Sequence, residues 1–401
     1  MQKFTSSFYR LQYANLFSGV SNSLMMIAVP WLVLEQTGSP FYAGLSGALA
    51  GIPGIIVSPF IGVLIDKIGA RIVSVLSDLM SAFSVVLFPV FYYAGILNIW
   101  VILALTVLGA VFDPAGYTAR KSLIPKTAKK SNIGIDHANG VHEGIFAVGW
   151  VIGPAIGAIL ISQIGVISVM WFAVLAFIIA AFCIFSINYT KTVSNTAASA
   201  IEKQFFVSLK EGFNALKSDK LLLSLTIIIS IIALIYMPTE GVLLPTHFES
   251  VQNPTGLGLT ISALALGSVA TSFGFGLIRK RVKARTIIYC SLFFAWISIF
   301  IMSFLPATAI IVMAAFLLGL GWGPMEPLLN EVVQKRSLPE LHGRIYGLQM
   351  TLYYAAPAIG LFIAGIAVSQ FGISVVYKII ALLMFIMLIV TLFNPHIRKY
   401  T

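Results

Sequence analysis

Three carboxylates lie within long apolar stretches of the chain: Asp113, Glu240 and Glu326. A charge at the centre of a membrane-length apolar helix costs roughly 2.5 to 3.5 kcal/mol on insertion scales, so such an acid needs a partner, a wet cavity or a proton. Desolvation favours the neutral form of a carboxyl group, which would let these acids load and release protons near neutral pH. The predicted chemistry is therefore reversible protonation. The alternative is a static contact, for example an ion pair of Asp113 with Arg120 or a hydrogen bond that holds helices together.

Polar and aromatic residues share a helical face with each acid, because residues three or four apart are neighbours on a helix. They are Tyr117 and Arg120 beside Asp113, Tyr236 beside Glu240, Trp322 and Asn330 beside Glu326, and a separate stripe of Asn15, Ser18 and Asn22. Aromatic rings with polar tips suit an amphipathic organic molecule, although aromatic residues are common in any apolar helix. These residues are candidates for a binding cavity.

Other ionisable residues are interpreted as structural. Asp78 lies two turns into its apolar stretch and has Arg71 on the same face as a possible partner. His142 and Glu143 lie one turn inside the apolar stretch at about 139–162. Their position predicts a hydrogen bond at the membrane interface. The histidines show no spacing typical of a metal site, so no metal ligand is predicted.

The elements that must position these residues are membrane helices. The chain has 59% hydrophobic and 10% charged residues with a mean hydropathy of +0.97, whereas about a quarter of a soluble domain is charged. About 20 apolar residues span a bilayer as a helix. Twelve stretches qualify, at about 9–35, 41–65, 72–94, 98–119, 139–162, 166–188, 220–246, 257–278, 285–304, 307–330, 344–369 and 373–394. The predicted fold is an all-α polytopic membrane protein.

The net charge of +11 could suggest a nucleic-acid partner. The placement of the basic residues along the chain distinguishes that interpretation from a signal of membrane topology. If the N-terminus is cytoplasmic, every Lys and Arg except Lys378 falls in or beside a cytoplasmic segment, and Lys378 can extend toward the outer interface. The charge therefore indicates topology and no nucleic-acid partner. Both termini are predicted to be cytoplasmic, and no cleavable signal peptide is evident.

The chain divides into two similar halves. Residues 190–219 form the longest polar interval, between six predicted helices in 1–189 and six in 220–401. Phe205, Phe206, Leu209, Phe213 and Leu216 recur there at helical spacing, which predicts an amphipathic helix on the membrane surface, or alternatively a soluble regulatory helix. The segments 109–114 and 153–157 are echoed by 319–324 and 356–360 at nearly constant separation. Such repeats are typical of transporters that place a site between two bundles.

Two local motifs stand out. One apolar stretch carries the series Gly140, Gly149, Gly153, Pro154 and Gly157, which predicts a smooth helix face for close packing and a bend at the proline. The loop after the second stretch carries Gly62, Asp66, Lys67, Gly69 and Arg71, which predicts a tight turn with a charged clasp.

Together these motifs, the twelve helices and the central interval resemble the major facilitator superfamily over essentially the whole chain. The series ending at Gly157 resembles the fifth-helix signature of proton-driven exporters, with Ala158 as its one departure, and the loop motif has Ala70 in place of a basic residue. The segments 30–40, 77–79, 112–115 and 124–125 resemble the branch of macrolide efflux proteins and enterobactin exporters. The resemblance implies two six-helix bundles, a cavity lined by helices 1, 4, 7 and 10, and a loop clasp that stabilises one access state.

The expected function is therefore a secondary active transporter in the inner membrane of a bacterium, exchanging amphipathic organic molecules for protons by alternating access. An uptake symporter, a facilitator or a lysolipid-type transporter of the same fold is the alternative. An enzyme is not expected, because the sequence has no His-Glu-x-x-His, nucleophile elbow or paired acid-base set. The lack of a phosphate-binding loop argues against ATP hydrolysis as the energy source. We expect a monomer in the lipid bilayer with a small-molecule substrate and protons as partners, and no cofactor.

Overall fold

A computed structural model describes residues 7–187 and 213–400 of the chain. This part consists of helices and the turns between them, without a strand. The first six long helices are α1 Ser7–Thr37, α2 Pro40–Ile68, α3 Ala70–Tyr93, α4 Ile99–Lys130, α5 Ile135–Ile164 and α6 Val166–Phe185. After a short helical segment at 213–218 follow α7 Lys220–Pro238, α8 Leu244–Ser250, α9 Pro254–Arg281, α10 Ala284–Met302, α11 Thr308–Trp322, α12 Met325–Arg336, α13 Pro339–Phe371, α14 Ile373–Phe393 and α15 Pro395–Arg398.

Twelve helical spans in the described residues are long and apolar enough to cross a bilayer. Two of them are each built from two helices. The seventh joins α7 to α8 through a π-turn at Thr239–Leu243, and the tenth joins α11 to α12 through Gly323 and Pro324. The prediction of an all-helical polytopic membrane protein is confirmed.

Most of the predicted amphipathic helix in 190–219 lies outside the described residues, including Phe205, Phe206 and Leu209. Its described end is helical at 213–218, with Leu216 buried and Phe213 exposed. The amphipathic surface helix stays a prediction.

The chain forms two compact units. The first contains α1, α2 from Leu49 onward, α3 to α6 and the segment Gln252–Gly258. The second contains Ser39–Ala48, α7, α8, α9 from Leu259 onward and the helices that follow. In the first unit α1 packs on α5 and α6, and α3 packs on α4 and α6. In the second unit α7 packs on α13, and α10 packs on α11 and α14.

Specific residues begin and end these helices. Asn98 caps α4 by accepting a hydrogen bond from the Val101 N–H at 3.1 Å, and Asp219 caps α7 by accepting from the Leu221 and Leu222 N–H groups at 2.9 Å. Gly69 precedes α3 with a φ of 94°, a left-handed conformation that favours glycine. Arg10 and Arg71 each donate to a carbonyl at the C-terminus of α6, where the helix dipole favours positive charge.

Candidate functional site

The carboxylate of Asp113 has a neutral partner. Asp113 is half-buried on α4 and accepts a hydrogen bond from the Ser81 hydroxyl of α3 at 3.0 Å. Pro114 follows it, and α4 continues through that proline without a break. Among the residues that the structure describes, Asp113 forms no ion pair. A carboxyl group held by a hydroxyl can be protonated without leaving a cation unpaired.

A buried ion pair lies next to it in the first unit. Arg120 of α4 donates to both oxygens of Asp78 of α3, at 3.0 and 3.1 Å, and both side chains are almost fully buried. Ser18 of α1 accepts from Arg120 at 2.9 Å and donates to Asp78 at 3.0 Å. The pair thus ties three helices together.

This geometry corrects two sequence interpretations. Arg120 pairs with Asp78 and not with Asp113, although Arg120 and Asp113 share a helix face in the sequence. Asp78 does not pair with Arg71, whose guanidinium instead donates to the Phe185 carbonyl and lies over the Phe185 ring. In both cases the arginine binds a group on a different helix in place of the acid on its own helix.

The polar stripe of α1 reaches α5. Asn15 is fully buried and donates to the His142 carbonyl at 2.9 Å, and the His142 ring contacts the Gln12 side-chain oxygen at 3.1 Å. The His142 side chain is fully buried among helices, and the interfacial hydrogen bond predicted for it stays a prediction. Its neighbour Glu143 is exposed and forms an ion pair with Lys121 at 2.8 Å.

One aromatic ring and one ammonium group of the first unit contact Tyr117. The Tyr117 ring packs on Phe146 of α5 with centroids 5.1 Å apart, and the Lys121 ammonium lies 4.5 Å from its ring centroid. Asn22, on the α1 stripe, is half-buried. The assignment of Asn15, Ser18, Asn22 and Tyr117 to a substrate cavity stays a prediction.

In the second unit Glu240 lies in a π-turn. The turn at Thr239–Leu243 follows Pro238, which removes one backbone donor, and Glu240 is hydrogen-bonded by the Tyr236 hydroxyl. π-turns inside helices occur frequently at functional sites. The Tyr236 ring is buried and packs against Trp322 at 5.4 Å between centroids. An acid, a hydroxyl and two rings therefore come together between the seventh and tenth spans.

The third predicted acid lies at a helix break. The tenth span is interrupted at Gly323 and Pro324, and Glu326 falls in the first turn of α12, where it is exposed. Ser272 of α9 donates to the Gly323 carbonyl at 2.6 Å, so the break is held from a neighbouring helix. Asn330, one turn further, is half-buried. The protonation role of Glu326 stays a prediction.

The glycine series of α5 is a packing face on α1. A Cβ on Gly149 would lie 3.3 Å from α1 backbone atoms, one on Gly153 would lie 1.7 Å from the Ser23 hydroxyl, and one on Gly157 would lie 2.9 Å from Leu24. The first member, Gly140, has open space around its Cβ position. Pro154 is buried and its carbonyl lies 2.5 Å from the Cβ position of Gly258, in the same unit. The predicted close packing is visible for all members of the series except Gly140.

The loop motif is described in part. Gly69 has the left-handed conformation given above, Arg71 binds the end of α6, and Lys67 is exposed. Nothing is described of the Asp66 side chain, and Gly62 has no described surroundings. The clasp therefore stays a prediction.

No group of three or more metal-ligating side chains occurs in the described parts of the chain. Both cysteines, Cys183 and Cys290, are free.

Comparison with known proteins places this architecture in a family. The family model of the Major Facilitator Superfamily matches residues 13–361. The chain belongs to the Major Facilitator Superfamily. It is thus a multi-pass transporter of small molecules and not an enzyme, as the sequence predicts.

Among relatives in this superfamily, the multidrug efflux pump Tap of Mycolicibacterium fortuitum is 30% identical over 390 residues, covering 96% of this chain and 95% of that protein. Macrolide efflux protein A of Streptococcus pyogenes is 23% identical over 420 residues, covering 100% and 99%. The solved nucleoside transporter NupG superposes with a TM-score of 0.78 at 12% identity, covering 98% and 100%, which supports the fold alone. The resemblance to efflux proteins of this superfamily is confirmed.

Sequence reasoning gave Asp78 a structural role but missed its partner Arg120. It also missed the contacts of Ser81 with Asp113 and of His142 with Gln12. Ser81 follows Asp78 by three residues, so both lie on one face of α3. This spacing is the signal in the sequence that could have grouped the two residues. His142 carried no such signal, because its partner Gln12 lies on a helix distant in sequence.

Proposed function

We propose that this transporter is a proton-coupled antiporter that exports amphipathic organic molecules, drug-like or siderophore-like, by alternating access. The observation that carries the proposal is the bonding of Asp113. Its carboxyl group lies within a membrane span and its partner is the neutral Ser81 hydroxyl, while the nearby Arg120 is committed to Asp78. A membrane-embedded carboxyl group without a cation is stable as the acid and costly as the anion. Asp113 can therefore take up and release a proton as its surroundings change.

Glu240 is the second proton-coupling group in this proposal. Its partner is also a neutral hydroxyl, that of Tyr236, and it forms no ion pair in the parts of the chain that the structure describes. The π-turn frees backbone groups from regular helical bonding at this point. Glu326, at the break between α11 and α12, is the third, and its exposure supports access to water.

The substrate contacts in this proposal are the rings and polar groups beside the acids. Tyr236 and Trp322 offer a ring surface next to Glu240, and Tyr117 offers another on the first unit. Asn15, Ser18, Asn22 and Asn330 supply polar groups. Rings with a nearby carboxyl group suit amphipathic molecules, which agrees with the names of the relatives, multidrug efflux pump and macrolide efflux protein.

Alternating access in this proposal uses two six-helix bundles, 1–189 and 220–401, that rock about a midplane site. Positive charge at the ends of the helices supports cytoplasmic termini, and the Asp66 loop acts as the clasp of one access state. The functional unit is a monomer.

The experiment is transport in everted membrane vesicles. A pH gradient is imposed, and its collapse is recorded on addition of each compound from a panel of macrolides, lipophilic dyes, siderophores and lysolipids. The proposal predicts collapse by at least one drug-like or siderophore-like compound, and loss of that collapse with Asp113→Asn combined with Glu240→Gln. Gradient-independent movement would support a facilitator, and collapse retained by the double variant would overturn the assignment of the acids.

A further inference from the structure

A row of buried polar side chains follows one face of α1. Gln12, Asn15 and Ser18 are spaced three apart and are at most 2% exposed. At one end Gln12 and Asn15 contact His142 of α5, and at the other end Ser18 contacts Asp78 and Arg120. We call these three residues the α1 row. It connects three helices that bear ionisable groups, α3, α4 and α5.

Four buried polar atoms along this row have no hydrogen-bond partner among the described residues. They are Gln12 Nε2, Asn15 Oδ1, His142 Nε2 and Arg120 Nε. Buried polar atoms are nearly always bonded to protein or to ordered water, and a lost bond costs about 1 to 3 kcal/mol. The atoms include both donors and acceptors, as a site for water requires. Their concentration beside one row indicates internal water along it.

The far end of the row leads toward Asp113. Ser18 donates to Asp78, and Ser81 lies one turn along α3 from Asp78. Ser81 in turn donates to Asp113 at 3.0 Å. Polar side chains therefore lie in succession from His142 on α5 to Asp113 on α4, and the interval between Asp78 and Ser81 is one helical turn along α3.

We propose that internal water along the α1 row links His142 to the Asp78–Arg120 pair and carries the proton that Asp113 exchanges. This inference rests on the proposed coupling at Asp113. One proton enters at one end, each water or imidazole accepts one proton and passes on another, and one proton leaves at the other end. His142 suits the entry because its ring has two nitrogens, one able to accept while the other donates. Gln12 and His142 are positioning and relay residues and need not touch substrate.

The charges around His142 come from two helices. Arg120 and Lys121 of α4 are within electrostatic reach, and Glu143 of α5 is exposed and paired with Lys121. From α1 the facing groups are the neutral Gln12 and Asn15. A variant at His142 is therefore best made neutral and polar, so that the Arg120 pairing is undisturbed.

The first measurement locates the water and needs no substrate. Purified protein in nanodiscs is exposed to a short X-ray pulse, and hydroxylation of side chains beside bound water is read by mass spectrometry. We expect clear labelling of His142, although it is fully buried, and a several-fold loss with Gln12→Leu. Phe177, buried on α6 in the same unit, is the internal reference and should stay unlabelled. Absence of label at His142 in the wild-type protein overturns the inference.

The second measurement separates relay from structure. Proteoliposomes are tested with radiolabelled erythromycin and tetraphenylphosphonium for efflux driven by a pH gradient and for substrate counterflow, which needs no net proton transfer. His142→Asn and Gln12→Leu should slow gradient-driven efflux by about tenfold or more, the scale of a lost proton-transfer group, with counterflow retained. His137→Asn, an exposed histidine on the same helix, is the matched control and should match wild type.

The outcomes distinguish this inference from the proposed coupling. If Asp113→Asn abolishes gradient-driven efflux while His142→Asn and Gln12→Leu leave it unchanged, coupling at Asp113 stands and the water path is wrong. Equal loss of counterflow and driven efflux in both relay variants identifies the row as structural and also overturns the path. If Asp113→Asn retains driven efflux, the proposed coupling itself fails.

Discussion

At the scale of single residues, the first unit holds two acids in different states of partnership. Asp78 shares the guanidinium of Arg120 and the hydroxyl of Ser18, whereas Asp113 is held by Ser81. A buried carboxylate with a guanidinium partner is stabilised as the anion, and one with a hydroxyl partner is free to become neutral. In the proposed antiport, these two carboxyl groups on neighbouring helices have separate tasks, one in holding helices and one in exchanging protons.

The Asp78–Arg120 pair gives a stability prediction. Arg120→Met leaves the Asp78 carboxylate buried without its cation, which costs about 3 to 5 kcal/mol, whereas replacing both partners is nearly neutral. We expect Arg120→Met to lower the melting temperature of the detergent-solubilised protein sharply, and Asp78→Leu combined with Arg120→Met to recover most of it. Lys121→Met is the control, since its pair with Glu143 is half-exposed and worth at most about 1 kcal/mol. A double variant as unstable as the single one would contradict this account.

The ring pair of the second unit gives a prediction about substrate affinity. Trp322→Ala removes the ring that packs on Tyr236, and aromatic pairs are worth about 0.5 to 1.5 kcal/mol beyond their buried area. KM for an aromatic substrate should rise by up to about tenfold, with Trp322→Phe close to wild type. Initial rates of efflux over a range of substrate concentrations measure this. An unchanged KM in Trp322→Ala would remove this ring from the substrate site.

Sequence reasoning found the acids and the partner of Glu240, but not the partner of Asp113. Asp113 and Glu240 are conspicuous because a carboxylate in an apolar stretch is costly. The contact of the Tyr236 hydroxyl with Glu240 could be predicted, because the two residues lie four apart along the chain. Ser81 and Asp78 lie on a different helix from Asp113 and Arg120, and the rotation of one helix against another is not encoded in spacing along either one.

At the scale of helices, small residues and caps determine how the elements meet. The α5 glycines admit α1, and in the second unit a Cβ on Gly360 would lie 2.0 Å from the Leu234 carbonyl of α7. A proline alone does not predict a helix break. α4 and α13 continue through Pro114 and Pro357, whereas the tenth span is interrupted at Pro324. At this break Ser272 donates a hydrogen bond to the Gly323 carbonyl. That contact comes from a neighbouring helix and has no signature within the tenth span.

The α5 packing face is tested by adding single methyl groups. Gly153→Ala places a Cβ against both the hydroxyl and the Cβ of Ser23, so α1 and α5 must separate. Overpacking of this kind costs about 1 to 3 kcal/mol, and we expect a lower melting temperature and slower transport. Ser23→Gly should rescue it, and Gly140→Ala, at a position with open space, should behave as wild type. Equal effects at positions 140 and 153 would show that packing on α1 is not the reason for the glycine.

The start of α7 gives a pH-dependent prediction. Desolvation raises the pKa of Asp219, but hydrogen bonds from the Leu222 N–H and from Arg336, with the charge of that arginine, hold the pKa below the usual 3.8. A depressed pKa contributes stability above the unfolded value, and this is lost as pH falls through the folded value. Asp219→Asn keeps a capping oxygen, so it isolates the charge, whereas Asp219→Ala also loses about 1 kcal/mol of capping.

The measurement is the melting temperature of wild type and Asp219→Asn in detergent between pH 7 and 3. The difference between them should be constant at neutral pH and shrink below about pH 3.8. Arg336→Gln should show the same pH dependence, because it removes the other half of the ion pair. A difference that is unchanged down to pH 3 would contradict the contribution of this pair.

At the scale of the whole molecule, composition and the length of the apolar stretches suffice to predict the membrane fold. The internal repeat includes turns between helices as well as the helices themselves. Gly165 joins α5 to α6 with φ 81° and ψ 158°, and Gly372 joins α13 to α14 with φ 78° and ψ 162°. Each follows a Ser-Gln pair, at 162–163 and at 369–370. The same turn at the same place in each half supports a duplicated six-helix unit. The sequence showed the matching segments, but only the structure shows that the turns have one conformation.

The central claim is that export is coupled to protons through Asp113, and a single measurement tests it most directly. Purified protein is reconstituted in liposomes with a pH-sensitive dye inside, without a membrane potential, and a gradient of the substrate found in the vesicle panel is applied. The account predicts proton movement opposite to the substrate in the wild type and none with Asp113→Asn, which should still perform substrate counterflow. Substrate movement without proton movement in the wild type, or the same proton movement in wild type and Asp113→Asn, would contradict it.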